Sequence, residues 1–202
     1  TLAMVGTGIY VKDADSDKFA RISGMTGVSQ SVVAFQNGFG AAGQFQNSDG
    51  QINGVAVSPD NGASWDLIDI GTNTTMGYYA RYAAFPSADT WYVSTGTWPS
   101  DDEKASSRQL NKHVSKTGDF RVRVPSLKGY DSYIGNIVKT TDGGATFSEV
   151  LNTKGQYYFN AVHCADDNNC IAVAEGGSGA VGYHTTDGGA NWDMIGTEEA
   201  TG

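Results

Sequence analysis

Thr140-Thr141-Asp142-Gly143-Gly144-Ala145-Thr146-Phe147 and Thr185-Thr186-Asp187-Gly188-Gly189-Ala190-Asn191-Trp192 are near-copies of one another. Ser58-Pro59-Asp60-Asn61-Gly62-Ala63-Ser64-Trp65 follows the same pattern. The shared form is Ser/Thr-x-Asp-x-Gly-x-x-aromatic, and three occurrences in 202 residues mark an internal repeat. Each copy has the chemistry of a tight hairpin turn. The Asp carboxylate accepts hydrogen bonds from N–H groups of its own turn, and glycine supplies a φ > 0 position. The aromatic residue opens the returning strand and is expected to pack inward. Gly54-Val55-Ala56-Val57 and Ile137-Val138-Lys139 read as the strands before the first and second corners. Asp66-Leu67-Ile68 and Asp193-Met194-Ile195 read as the strands after the first and third.

The repeat extends upstream. Ser31-Val32-Val33-Ala34-Phe35, Arg81-Tyr82-Ala83-Ala84-Phe85 and Asn160-Ala161-Val162-His163-Cys164 occupy one slot. A turn and a second apolar strand follow each: Gly40-Ala41-Ala42-Gly43, Trp91-Tyr92-Val93-Ser94 and Ile171-Ala172-Val173-Ala174. One unit is thus a four-stranded up-and-down meander with the Asp corner between its third and fourth strands. Four strands in about 40–50 residues are the signature of a propeller blade. The units span 29–70, 77–151 and 156–196, the middle one lengthened by a charged insertion at 99–133. Residues 2–23 read as a fourth blade that lacks its first strand, with a degenerate corner over Asp13-Ala14-Asp15-Ser16-Asp17-Lys18-Phe19. The reading is one all-β segment over 1–202, a partial β-propeller of three complete blades and one incomplete blade.

Composition agrees. There are 27 glycines, 10 tyrosines and 4 tryptophans against 4 prolines, and no stretch keeps apolar spacing at 3.6 residues with helix caps. Net charge is −9, which disfavours binding to nucleic acid or anionic membranes. No apolar run is long enough to span a bilayer. Residues 101–133 hold 7 of the 13 Lys and Arg against 5 acidic residues, a local balance of +2 (7 − 5), so the remainder carries −11 (6 − 17). That island reads as a solvated insertion or a docking loop. Cys164 and Cys170 flank the turn-forming Asp166-Asp167-Asn168-Asn169, so a disulfide clipping a hairpin is expected, together with an oxidising, secreted setting. The sequon at Asn73 agrees with secretion. Thr1 leads straight into Leu2-Ala3-Met4-Val5, as expected of a processed or truncated chain.

The repeated Thr-Thr-Asp-Gly-Gly-Ala-x-aromatic phrase resembles the BNR/Asp-box repeat superfamily, over nearly the whole chain except roughly 99–133. Members include sialidases, xyloglucanases, sortilin-type receptor propellers and photosystem II assembly-factor-like propellers. The spacing is most similar to the last group and the xyloglucanases. The resemblance implies that the boxes (Asp60, Gly62, Trp65; Asp142, Gly144, Phe147; Asp187, Gly189, Trp192) are structural and peripheral. It implies a fold, and fold alone does not give function.

Propeller ligands sit at one end of the central channel, lined by the first strand of each blade. The channel-side slot is Ser31, Arg81 and Asn160, with Tyr78-Tyr79 and Tyr157-Tyr158 just before the last two. Tyr79, Arg81, Tyr158 and Asn160 are therefore the candidate ligand contacts, since tyrosine and arginine at a concave mouth suit a protein or glycan. Trp98 is a candidate stacking platform for sugar, and Trp91 reads as core. With 5 arginines, three of them (Arg108, Arg121 and Arg123) in the insertion, a sialidase-type arginine cluster is not visible. A xyloglucanase-type mechanism needs two carboxylates across a cleft. Of Asp49, Asp89, Asp166, Asp167 and Glu175, most sit in turns, and Glu175 is the least easily dismissed as a turn former, with no partner evident in the sequence. His113, His163 and His184 lack metal-ligand spacing, and no cofactor motif is present. The leading expectation is an extracellular, non-catalytic propeller module that binds protein or glycan. The alternatives are part of a glycoside hydrolase and a structural surface protein. Left open, the ring would expose its terminal blades, so further blades are expected from the precursor, another chain or a second copy.

Overall fold

The computed structural model describes residues 2–5, 8–22, 26–35, 38–47, 50–70, 79–97, 133–176 and 179–195. Asn73, Trp98, His113 and the charged insertion up to Ser132 lie outside these residues. The chain is all-β, with no helix among the described residues.

Among the described residues, four separate antiparallel sheets follow one another along the chain. The first holds β1 (Leu2–Val5), β2 (Ile9–Lys12) and β3 (Ala20–Arg21) in that order. The second is β4 (Thr26–Phe35), β5 (Gly38–Asn47), β6 (Gly50–Ser58) and β7 (Asp66–Asp69). The third is β8 (Ala80–Ala84), β9 (Trp91–Thr97), β10 (Ile134–Thr140) and β11 (Ser148–Asn152). The fourth is β12 (Tyr157–Cys164), β13 (Cys170–Gly176), β14 (Gly179–Thr185) and β15 (Asp193–Ile195). Each is a meander whose neighbours in sequence are neighbours in space, and each of the last three carries a glycine-aspartate corner between its third and fourth strands.

The core lies between sheets. Ile9 and Val11 of the first sheet pack with Ala41, Phe45 and Ala56 of the second. Ala42, Val55 and Val57 of the second pack with Ala83, Trp91, Val93 and Val138 of the third. Tyr92 and Ile137 of the third pack with Phe159, Val162, Ala172 and Ala174 of the fourth. Ile9, Val55, Val93, Ile137 and Val138 are fully buried, each stabilising the fold by about 1.5–3 kcal/mol. Alternation explains the pattern: period-2 strands give each sheet two apolar faces, one for the sheet before and one for the sheet after. Strand β8 packs against both β4 and β12, so the first strands of successive meanders gather on one side.

The three corners share one hydrogen-bond lattice. Ser58 Oγ, Thr140 Oγ1 and Thr185 Oγ1 donate to Oδ1 of Asp60, Asp142 and Asp187 at 2.9, 2.6 and 2.9 Å. The same hydroxyl oxygens accept from the N–H of Gly62, Gly144 and Gly189 at 2.7, 3.0 and 2.9 Å. Oδ1 also accepts the N–H of Ser64, Thr146 and Asn191 at 2.8, 2.9 and 2.9 Å. Side-chain donors of those three residues bind Oδ2 at 2.6, 2.6 and 2.7 Å. This lattice holds the carboxylates below their ordinary range: Asp142, chiefly through Thr140, and Asp187, chiefly through Asn191, fall to about 2. Two successive left-handed residues turn the chain: Asn61 (φ 59) and Gly62 (φ 91), Gly143 (φ 68) and Gly144 (φ 92), Gly188 (φ 74) and Gly189 (φ 87).

Candidate functional site

Each gathered strand carries a register shift at one point. The pairing jumps between Ser29 and Ser31 in β4, between Ala80 and Tyr82 in β8, and between Phe159 and Ala161 in β12. The extra residues are Gln30, Arg81 and Asn160. Bulges of this kind re-aim a side chain and recur beside functional sites. The slot is therefore corrected by one residue in the second sheet. Ser31, which pairs with Ala42, matches Tyr82 and Ala161, whereas Gln30 matches Arg81 and Asn160. Apolar alternation in the sequence points to Ser31, because a bulge displaces that alternation without changing composition.

Arg81 is the best-defined member. Its guanidinium carbon lies 4.3 Å above the centroid of the Tyr158 ring, a cation–π stack across the seam between the third and fourth sheets. The residue is partly buried, and burial pushes its pKa below the ordinary value, with Tyr82 acting in the opposite direction. Arginine nevertheless remains charged. Tyr158 is buried, 1% exposed, so its ring supports the guanidinium from beneath rather than lining the surface as the sequence suggested. Tyr79 occupies the matching position one sheet earlier and is 43% exposed. Asn160, at the bulge of β12, is half-buried. Glu175 pairs across the ladder with Tyr158 and so shares its sheet face.

Other sequence candidates lie away from this cluster. Trp91 is buried at 3% exposure, and its indole N–H donates to the Ala88 carbonyl at 2.9 Å. Trp65, Phe147 and Trp192 are half-buried at the corners. Trp65 Nε1 donates to the Gly62 carbonyl at 3.1 Å, and Trp192 meets Tyr92 edge-on at 6.4 Å. His163 is exposed. Cys164 and Cys170 face each other across the β12–β13 ladder and form a disulfide. Among the described residues, no group of three or more His, Cys, Asp or Glu side chains converges on one point.

Residues missed in sequence fall into two kinds. Gln30 was hidden by the bulge. The seventh corner residue (Ser64, Thr146, Asn191) was read as unconstrained, although all three types share a side-chain donor, which was the available signal.

Face-to-face meanders with their first strands gathered along one side define a partial β-propeller. No protein-family model matches the chain, and no curated protein matches it. Among solved structures it is similar to "YCF48 bound to D1 peptide", with 13% sequence identity and a TM-score of 0.45. That match covers 89% of this chain and 46% of the other, so this chain spans less than half the length of that one.

Proposed function

We propose that this chain is a segment of an Asp-box β-propeller, extracellular and non-catalytic, whose channel-side strands hold an extended segment of a partner protein. Tyr79, Arg81 and Asn160 are the recognition set, with the buried Tyr158 ring supporting the Arg81 guanidinium from beneath. The observation that carries this reading is the bulge repeated on successive first strands, whose extra residue is polar in β8 and β12: Arg81, stacked over Tyr158 at the seam, and Asn160. A guanidinium resting on an aromatic ring presents its planar fork to carboxylate or carbonyl oxygens. An exposed tyrosine nearby adds contact area at low conformational cost. The disulfide supports an oxidising compartment.

The test is binding by the whole 202-residue chain to a library of extended peptides and, in parallel, to an oligosaccharide array. Peptide binding that weakens at least tenfold in Arg81→Ala, with Asn160→Ala intermediate, is the expected result. Binding to oligosaccharides alone would overturn it. Release of reducing sugar that disappears in Glu175→Gln would replace it with a glycoside-hydrolase reading.

A further inference from the structure

We infer that the outer face of the fourth sheet docks a second copy of this chain, through the corner of that copy's first sheet. Two exposed surfaces of one molecule carry the inference. Each is the counterpart of a surface buried elsewhere in the same molecule.

The receiving surface is read by register. Thr140 pairs with Trp91 and Thr185 with Cys170, so Tyr92 matches Ile171, and Ser94 matches Val173. Counting from the corner aromatics, Val150 matches Ile195, and Lys139 matches His184. In the third sheet these positions seat the fourth sheet's corner. The Tyr92 ring meets Trp192, Lys139 Nζ donates to the Gly188 carbonyl at 2.7 Å, and Val150 lies against Gly189. The second sheet seats the third sheet's corner in the same way, with Ile68 against Gly144 and Phe147 packed beside it. Tyr92 and Ser94 are accordingly 0% exposed. In the fourth sheet the matching Ile171, Val173 and Ile195 are 45%, 43% and 45% exposed.

The donating surface is the first sheet's corner. Phe19 stands in the slot of Trp65, Phe147 and Trp192, each of which packs into an inter-sheet core. Phe19 itself is 40% exposed. Of the six exposed large hydrophobic side chains among the described residues, four lie on the fourth sheet and one is Phe19. This concentration at the two ends of the stack is what an interface produces, whereas solitary exposed apolar residues are scattered. Among the described residues, no strand of the first sheet packs extensively on a strand of the fourth, so the two surfaces do not satisfy each other within one chain.

A head-to-tail pair satisfies both at once and twice over, because the first sheet of each copy meets the fourth sheet of the other. Eight sheets result, within the about four to eight of known propeller rings. Closure in two steps also prevents the open-ended growth that heterologous contacts otherwise risk.

The test is size-exclusion chromatography with light scattering on the whole chain. The expected mass is twice the 21.3 kDa of one chain. Ile171→Asp combined with Val173→Asp, and separately Phe19→Asp, should each raise the dissociation constant at least tenfold. These side chains are exposed, so far-UV circular dichroism and the Cys164–Cys170 bond should be unchanged in the variants. A single-chain mass for the unmodified protein would overturn the inference. So would a pair that survives both sets of substitutions, or masses that climb without limit as concentration rises.

Discussion

The corner is where single residues decide most. Its first left-handed position is Asn61 at φ 59 in one sheet and Gly143 at φ 68 in the next, and these are the two residue types that tolerate that region at low cost. A Cβ on Gly143 would meet nothing nearer than 3.8 Å, from Asp89. Gly143→Asn should therefore change stability by no more than about 0.5 kcal/mol. Gly144 differs. A Cβ there would stand 2.6 Å from the Trp91 ring at φ +92. Gly144→Ala should cost about 1–2 kcal/mol from the backbone and about 1–3 kcal/mol more from overpacking. Urea denaturation of the two variants checks the contrast. The aspartates make a second prediction. Asp142 and Asp187 have folded values near 2, below the ordinary 3.8. Their stabilising contribution is thus fully present above about pH 3.8 and lost as pH falls toward 2. Asp142→Asn with Asp187→Asn should flatten the acid limb of a stability-versus-pH curve in that window. An acid limb unchanged by the substitutions would place the acid sensitivity elsewhere. At this scale the aspartate, glycine and aromatic were legible, because each is fixed by one chemical demand. The seventh position was not, because hydroxyl and amide donors satisfy it equally.

Among the elements, the β12–β13 hairpin is the most heavily restrained. Asp166 Oδ1 accepts the N–H of Asn168 and of Asn169, both at 2.8 Å, while Ala165 N–H closes onto the Asn169 carbonyl at 2.8 Å. The disulfide then clips Cys164 to its cross-strand partner. The hairpin tip also ties to the third sheet. Ser87 and Thr90 hydroxyls donate to Asp167 Oδ2 at 3.0 and 3.2 Å, and the Tyr92 hydroxyl donates to its carbonyl at 2.7 Å. Replacing both cysteines by serine should cost about 2 kcal/mol by the loop-closure argument for so short a loop, with the sheet retained because these polar ties remain. Thermal denaturation with and without reductant measures this, and loss of the folded state on reduction would show that the polar ties alone do not hold the tip. The hairpin and its bridge were legible from two cysteines around an Asp-Asp-Asn-Asn turn. The bulges were not. Gln30, Arg81 and Asn160 share no composition, and only the ladder partners on either side reveal them.

Across the whole molecule, stability should follow how many neighbours each sheet has. The third sheet is covered on both faces, and its middle strands β9 and β10 contain Tyr92, Val93, Ile137 and Val138 at 0% exposure. Among the described residues the first sheet is covered on one face only, has three strands, and ends in the two-residue β3 with both side chains exposed. Its corner lacks the aspartate lattice: Ser16 instead bonds the Lys18 backbone at 2.9 and 3.1 Å. The fourth sheet has one open apolar face but gains the disulfide and the ties through Asp167 and Lys139. Local opening takes place where buried apolar contacts are few. Hydrogen exchange should therefore be slowest in β9 and β10, intermediate in β12–β14, and fastest in β1–β3. Peptide-resolved exchange by mass spectrometry reads this order directly. Equal protection in all four sheets would mean that the stack opens as one unit, with the covering of faces making no difference to local stability. Protection of the first sheet and of Ile171 and Val173 that rises with protein concentration would instead show those faces being covered by another molecule.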